Sequence, residues 1–400
     1  MHHMPLLKAE IEELVTQVFE EATRLRRLFH ENPELGYEEH QTSRVISDYL
    51  SENGIEVKKG IAGTGVLGIL RGQKPGPVIA LRSDMDALPI QEQTSAPFSS
   101  KVPNVMHACG HDMHMAMLLG AAKALAMVRD RIEGTIKFIF QPAEEMLAGG
   151  KRMVEEGALS DPDVDCIYGF HVWPDLPIGK FGFKSGPLMA SMDSFSVTLK
   201  GKAGHGAAPH QGIDAIIGGA HVISGLQSII SRETDPLDSV VLTIGTLNAG
   251  TGFNIIPEKA TFQGTVRTLK EDVRQRVAED FSRVVEGMSS ALRLEPEIDY
   301  QFGYPVTSNQ KDHTDFAKGQ AIVLFGEQAA VVLEQPSMVS EDFSFYLKQV
   351  PGSFILLGVG DGAGGSYKLH NERFLPDEEA MKYGIGLYLA IAAQSKHVSI

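Results

Sequence analysis

Cysteine and tryptophan are scarce: two and one in 400 residues. Two cysteines, Cys109 and Cys166, allow one disulfide by count but no disulfide-built scaffold. Positive charge is short as well, with 36 Lys and Arg against 51 Asp and Glu, a formal net charge of −15. That balance disfavours nucleic acid and offers no basic face to an anionic membrane. No apolar run is long enough to span a bilayer. The start, Met1-His2-His3-Met4-Pro5, has no apolar signal core and reads partly as a tag, with Met4 a candidate start. Cytoplasmic placement is therefore expected, and there Cys109 is freer to act as a ligand. There is no G-x-S-x-G elbow for a serine hydrolase, and no internal repeat or low-complexity segment.

What is present is concentrated in one stretch. His107 to His114 reads HACGHDMH, which places three histidines, one cysteine and one aspartate within eight residues. The chain then turns apolar from Ala116 to Ala126, as a buried helix would. Metal-ligand types thus sit on a turn at the start of a helix, where the helix N-terminus is expected to favour a thiolate.

Length alone predicts two domains. Apolar spacing predicts a helix from Leu6 to Phe29, stopped by Asn32-Pro33, and a second from Glu38 to Glu52. Short strands follow at 55–58, 65–70 and 78–82. The last ends at Ser83-Asp84-Met85-Asp86. A strand at 135–140 runs into Gln141-Pro142-Ala143-Glu144-Glu145, and another at 166–170 ends at His171. Three strands finishing in ligand or acid/base residues argue for one site at the edge of an α/β sheet. Gly63 to Gly68 matches G-x-G-x-x-G but leads into a strand, so it is no dinucleotide fingerprint. A second match, Gly360 to Gly365, is read as a loop delivering His370.

From about Asp193 the order becomes β-α-β-β-α-β: strand 194–200, helix 214–231, strands 240–247 and 259–268, helix 271–292, strand 296–302. This is a ferredoxin-like unit inserted in a larger domain. The expected division is a discontinuous α/β domain, 4–187 and 306–400, around an inserted domain, 188–305, with hinges near Pro187 and Tyr304-Pro305.

The candidate metal ligands are Cys109, His111, Glu145, His171 and His370. One tetrahedral structural ion needs only four, and Asp84 and Asp86 lie nearby, so two divalent ions sharing a ligand explain the surplus. Of the adjacent carboxylates Glu144 and Glu145, one can bind metal while the other moves a proton. Asp86 either orients a ligating histidine or caps a turn. His114 and His210 read as structural.

These motifs resemble a known family. Asp84-Met85-Asp86-Ala87-Leu88-Pro89, HACGHDMH, Gln141 to Glu145, Gly169-Phe170-His171, Gly204 to His210, Asn254-Ile255-Ile256-Pro257, Ser340-Glu341-Asp342-Phe343 and Leu369-His370-Asn371 occur in order. The chain is similar to the N-acyl-amino-acid amidohydrolase branch of the aminoacylase/carboxypeptidase-G metallopeptidases, which includes hippurate, auxin-conjugate and N-acetyl-diaminopimelate hydrolases. The resemblance implies a di-metal aminopeptidase-like catalytic domain with a lid that mediates homodimerisation. It implies zinc or manganese, with cobalt or nickel as options, at the five ligands above. It also implies Glu144 as general base, His205 as oxyanion donor, and Asn254 and Arg267 as holders of the substrate carboxylate. Relatives outside the branch carry His-x-Asp at Asp84-Met85-Asp86; here that histidine is missing and Cys109 compensates. The expected reaction is hydrolysis of an N-acyl amino acid, with a dipeptidase or carboxypeptidase as the alternative.

Overall fold

Four apolar runs far apart in sequence become the parallel centre of one sheet. The computed structural model describes residues 6–361 and 366–394. The expected start at Met4 and most of the Gly360-to-Gly365 motif lie outside the described residues. The chain divides into two compact units. The first comprises Met1–Gly186, Ser308–Gln335 and Asp342–Ile400; the second, Pro187–Thr307 and Pro336–Glu341.

In the first unit eight strands form a mixed sheet. Their spatial order is Glu56–Ile61, Gly65–Arg71, Glu133–Gln141, Lys74–Asp84, Cys166–Pro177, Gly352–Gly360, Phe181–Phe183 and Ala330–Val332. The third to sixth of these run parallel, so their C-terminal ends meet at one edge. Their near-continuous burial is what parallel strands covered on both faces require. The helix His111–Met127 is apolar on every side and buried almost throughout, and it packs against the helices Lys8–Glu31 and Ala380–Gln394.

Most strands outgrow their sequence-based bounds, and two of these extensions bear on the site. The 78–82 run extends to Lys74–Asp84, which takes Asp84 into the sheet. The 166–170 run extends to Pro177, so His171 lies inside a strand, opposite Leu356, rather than at a strand end. Pairing with Gly352–Gly360 carries that strand past His171 to Pro177.

In the second unit four antiparallel strands lie in the order Val240–Ala249, Lys259–Thr268, Met192–Lys200, Glu295–Tyr304. The helices Ala215–Ser228 and Glu271–Ala291 pack on them over Phe195, Val197, Val222, Phe262 and Phe281. Along the chain these run strand, helix, strand, strand, helix, strand. The first helix stops at Ser228 and passes into a π-turn, Ile229–Glu233, short of the expected 231. The segment Pro336–Glu341 belongs to this unit although it follows the second expected hinge. It is held by hydrogen bonds from Ser337 N–H to the Leu188 carbonyl and from Ala190 N–H to the Ser337 and Val339 carbonyls.

Candidate metal centre

The turn at the head of His111–Met127 depends on one glycine. Gly110 caps the helix at φ +85°, and a Cβ there would lie 2.5 Å from Val172 Cγ2. The left-handed backbone and the close approach both demand glycine. Cys109 and His111, on either side, then fall in one cluster with His171.

Hydrogen bonds determine which ring nitrogens are free. His111 Nδ1 donates to the Asp86 carbonyl at 2.8 Å, and His171 Nδ1 donates to the Val172 carbonyl at 2.7 Å. A carbonyl only accepts, so in both rings Nδ1 carries a proton and Nε2 is the nitrogen that a cation can take. His114 differs. Its Nε2 accepts from Val172 N–H at 2.9 Å, and its Nδ1 donates to Asp84 Oδ1 at 2.6 Å. Asp84, His111 and His114 do cluster, but His114 has no nitrogen left for an ion.

The ligand atoms of Cys109, His111 and His171 lie within 4.8 Å of one another, as do those of Cys109, Glu145 and His370, and of His111, Glu144 and Glu145. Cys109 Sγ is 3.4 Å from His171 Nε2. Glu145 Oε1 is 3.9 Å from His111 Nε2 and 3.3 Å from His370 Nε2. His111 Nε2 and Glu145 Oε1 are buried and make no hydrogen bond. Buried polar atoms without hydrogen bonds are costly, and two of them beside a thiol and the Nε2 atoms of His171 and His370 are what a cation site looks like. The five residues therefore fit divalent ions.

Electrostatics point the same way and correct one expectation. The Cys109 thiol is raised well above its usual range, by burial first and then by the Glu145, Glu144 and Asp84 carboxylates. The helix N-terminus does not outweigh these. Burial opposes a charged His111, yet Asp84, Asp86 and Glu145 push it up to about 10. A cation at these atoms reverses both tendencies, since it takes sulfur as thiolate and imidazole as neutral donor. Both cysteines are free thiols, so the disulfide allowed by count does not form.

Around the cluster stands a set of buried supports. Asp86 Oδ1 lies 3.3 Å from His111 Nδ1, and Asp86 Oδ2 accepts Glu145 N–H at 3.0 Å. Asp86 thus both orients a histidine and accepts from a nearby backbone amide. Three supports went unread in the sequence. Glu39 accepts Ala143 N–H at 2.9 Å and Thr64 Oγ1–H at 2.6 Å. Arg82 donates to Asp84 Oδ2 at 2.7 Å and to Asp342 Oδ1 at 2.8 Å. Gln141 donates to both Asp342 oxygens at 2.8 Å. An arginine inside an apolar strand was the one available signal, because a buried guanidinium needs carboxylates.

His205, Asn254 and Arg267 belong to the second unit. His205 pairs with Ile255, its ring Nδ1 accepts Ala207 N–H at 3.0 Å, and the Asn254 carbonyl accepts Gly206 N–H at 2.8 Å. His205 and Asn254 are exposed. Arg267 is partly buried and donates to the Met338 carbonyl at 3.0 Å.

Thiol, imidazole and carboxylate donors gathered around the parallel centre of a mixed α/β sheet are the mark of a metallohydrolase. Residues 80–394 match the sequence profile of Peptidase family M20/M25/M40, and the chain belongs to that family. It is 43% identical over 359 residues to an N-acetylcysteine deacetylase of Bacillus subtilis, covering 89% of this chain and 92% of that one. It is 40% identical over 380 residues to thermostable carboxypeptidase 2 of Saccharolobus solfataricus, covering 94% and 93%. Among solved structures it resembles the Bacillus subtilis YXEP protein, described as a dinuclear metal-binding peptidase of the M20 family. The TM-score is 0.84 at 37% identity, covering 96% of this chain and 100% of that one.

Proposed function

We propose that the protein hydrolyses the amide bond of an N-acyl amino acid to a carboxylic acid and a free amino acid. The observation that carries this is the pair of orphaned buried atoms, His111 Nε2 and Glu145 Oε1, in a cluster that also contains Glu144. Two divalent ions, held by Cys109, His111, Glu145, His171 and His370, supply Lewis acidity and an acidified water when bound. Cys109 and Glu145 each belong to two of the ligand groups and His111 to three, so the donors form one continuous cluster that can hold two ions. The thiolate favours zinc; the imidazoles and carboxylate also suit manganese, cobalt or nickel.

Glu144 removes a proton from the attacking water and returns it to the departing nitrogen as the C–N bond breaks. Asp86 keeps the His111 lone pair directed by fixing its Nδ1–H. In the second unit, a ferredoxin-like lid by its strand order, His205 supplies the oxyanion donor. Such a donor is typically worth about 3–4 kcal/mol of barrier. Asn254 and Arg267 hold the substrate carboxylate. The remaining unit, Met1–Gly186 with Ser308–Gln335 and Asp342–Ile400, is the catalytic domain. A homodimer is expected through the edge strand Val240–Ala249, which leaves Val241 and Leu247 exposed beside Ile216 and Ile217. No helix among the described residues is long and apolar enough to cross a membrane; a cytoplasmic location is part of the proposal. The Saccharolobus relative favours a second reading, a carboxypeptidase, in which an amino-acid residue replaces the acyl group.

The test is a hydrolysis panel on metal-stripped protein with zinc, manganese or cobalt restored. Acetyl, benzoyl and indole-acetyl amino acids, acetyl-diaminopimelate and dipeptides are compared. Metal-restored release of amino acid from one acyl class is the expected result. Cleavage of dipeptides alone transfers the assignment to the carboxypeptidase reading, and no cleavage of any substrate removes both.

A further inference from the structure

The Ser340-Glu341-Asp342-Phe343 motif has no part in that chemistry, yet Asp342 is fully buried beside it. Its carboxylate collects donors from three places. Arg82 Nη2 reaches it from the strand Lys74–Asp84 at 2.8 Å. Gln141 Nε2 reaches both oxygens at 2.8 Å from the last residue of Glu133–Gln141. Gly150 N–H reaches Oδ2 at 2.7 Å from the start of the helix Gly149–Glu155. Gln141 and Gly150 bracket the loop-and-turn segment that carries Glu144 and Glu145 on the short helix Glu144–Leu147, so one carboxylate pins both ends of it. The backbone N–H of Asp342 in turn donates to Glu144 Oε1 at 3.4 Å.

This loop needs pins. Ala143 and Ala148 sit at φ +53° and +50°, a left-handed conformation that non-glycine residues leave unless their surroundings hold them. At one of them Glu39 helps, through Ala143 N–H. At the far end Gly150 is bound to Asp342. The Phe343 ring stacks on Phe354 with centroids 4.7 Å apart, which anchors the chain immediately after Asp342.

We infer that Asp342 is a positioning residue for the general base: it clamps residues 141–150 at both ends and orients Glu144 through its own backbone N–H. The inference rests on Glu144 being the base. Removing the carboxylate's charge or one of its donors lets Glu144 drift, and a small displacement of a proton-transferring group lowers turnover more than binding.

The experiment compares Asp342→Asn, Gln141→Leu and Glu144→Gln for kcat, KM, bound metal and thermal unfolding. For Asp342→Asn, kcat is expected to fall 10- to 100-fold with KM within about three-fold and two ions retained. Gln141→Leu should move in the same direction by less, and it decides the matter if the aspartate variant does not fold. A folded, metal-replete variant with wild-type kcat overturns the inference. So does a loss that excess metal restores, because Asp342 would then act in metal retention. Activity surviving in Glu144→Gln refutes the base assignment instead, which keeps the two failures apart.

Discussion

Glu144 and Glu145 are adjacent in sequence and differently placed. Glu145 presents an orphaned oxygen toward His111 and His370, and its N–H is held by Asp86. Glu144 is buried and accepts a hydrogen bond from Asp342. Different surroundings for two carboxylates are how one site obtains a ligand and a base. Glu144→Gln should lower kcat by about 10²–10⁴-fold while both ions stay bound, measured by steady-state kinetics and metal analysis. Activity within ten-fold of wild type would contradict the role. Glu39 gives a second residue-level prediction. Burial pushes its carboxyl up to about 7, against the hydrogen bonds from Thr64 and Ala143. Its unfolded value is 4.5, so between these the folded state holds a proton the unfolded chain releases. The associated stability is fully present below pH 4.5 and lost as pH rises through about 7, on the order of 3 kcal/mol. Glu39→Gln should flatten the pH dependence of unfolding across that window. An unchanged slope in urea titrations at several pH values would count against it. Glu144 and Glu145 were readable because they follow an apolar strand and a proline. Glu39 was not, because its partners, Thr64 and Ala143, lie 25 and 104 residues away.

The turn before His111–Met127 is the element on which the site depends. Gly110→Ala must keep a left-handed backbone, which costs about 1–2 kcal/mol, and must also displace Val172. A lowered melting temperature together with weaker metal binding is expected, checked by thermal unfolding with and without metal and by metal titration. A variant with wild-type values in both would show that the turn tolerates a side chain. The presence of this helix was legible from its alanine-rich run, as was the order of the long strands and helices in the second unit, whereas two short strands of the first unit's sheet, Phe181–Phe183 and Ala330–Val332, were not. Strand lengths were less so. The strand Cys166–Pro177 continues because Gly352–Gly360 pairs with it as far as Pro177, and that partner lies almost 200 residues downstream.

For the whole molecule, an unpaired, apolar edge is the main prediction. Among the described residues, the edge strand Val240–Ala249 has no strand on its outer side, and the exposed Ile216 and Ile217 lie on the neighbouring helix. Sedimentation should give twice the 43.5 kDa chain mass, and Leu247→Lys should shift the mass toward the monomer at equal concentration. A wild-type monomer at micromolar concentration would refute the dimer.

Sequence by itself determined the donor types, their grouping around one turn, the β/α alternation that brings strand ends to one edge, and the insertion of a second pattern of elements. These are local: periodicity, turn residues and spacing carry them. Only the tertiary structure decided which donors are free. His111 and His114 stand one turn apart on the same helix, yet one keeps a lone pair and the other is consumed by Asp84 and Val172. Likewise the Cys109 thiol is governed by burial and by carboxylates from two other strand ends rather than by its own helix. The physical reason is the same in both cases. Hydrogen bonding and desolvation depend on neighbours in space, and here those neighbours come from distant parts of the chain.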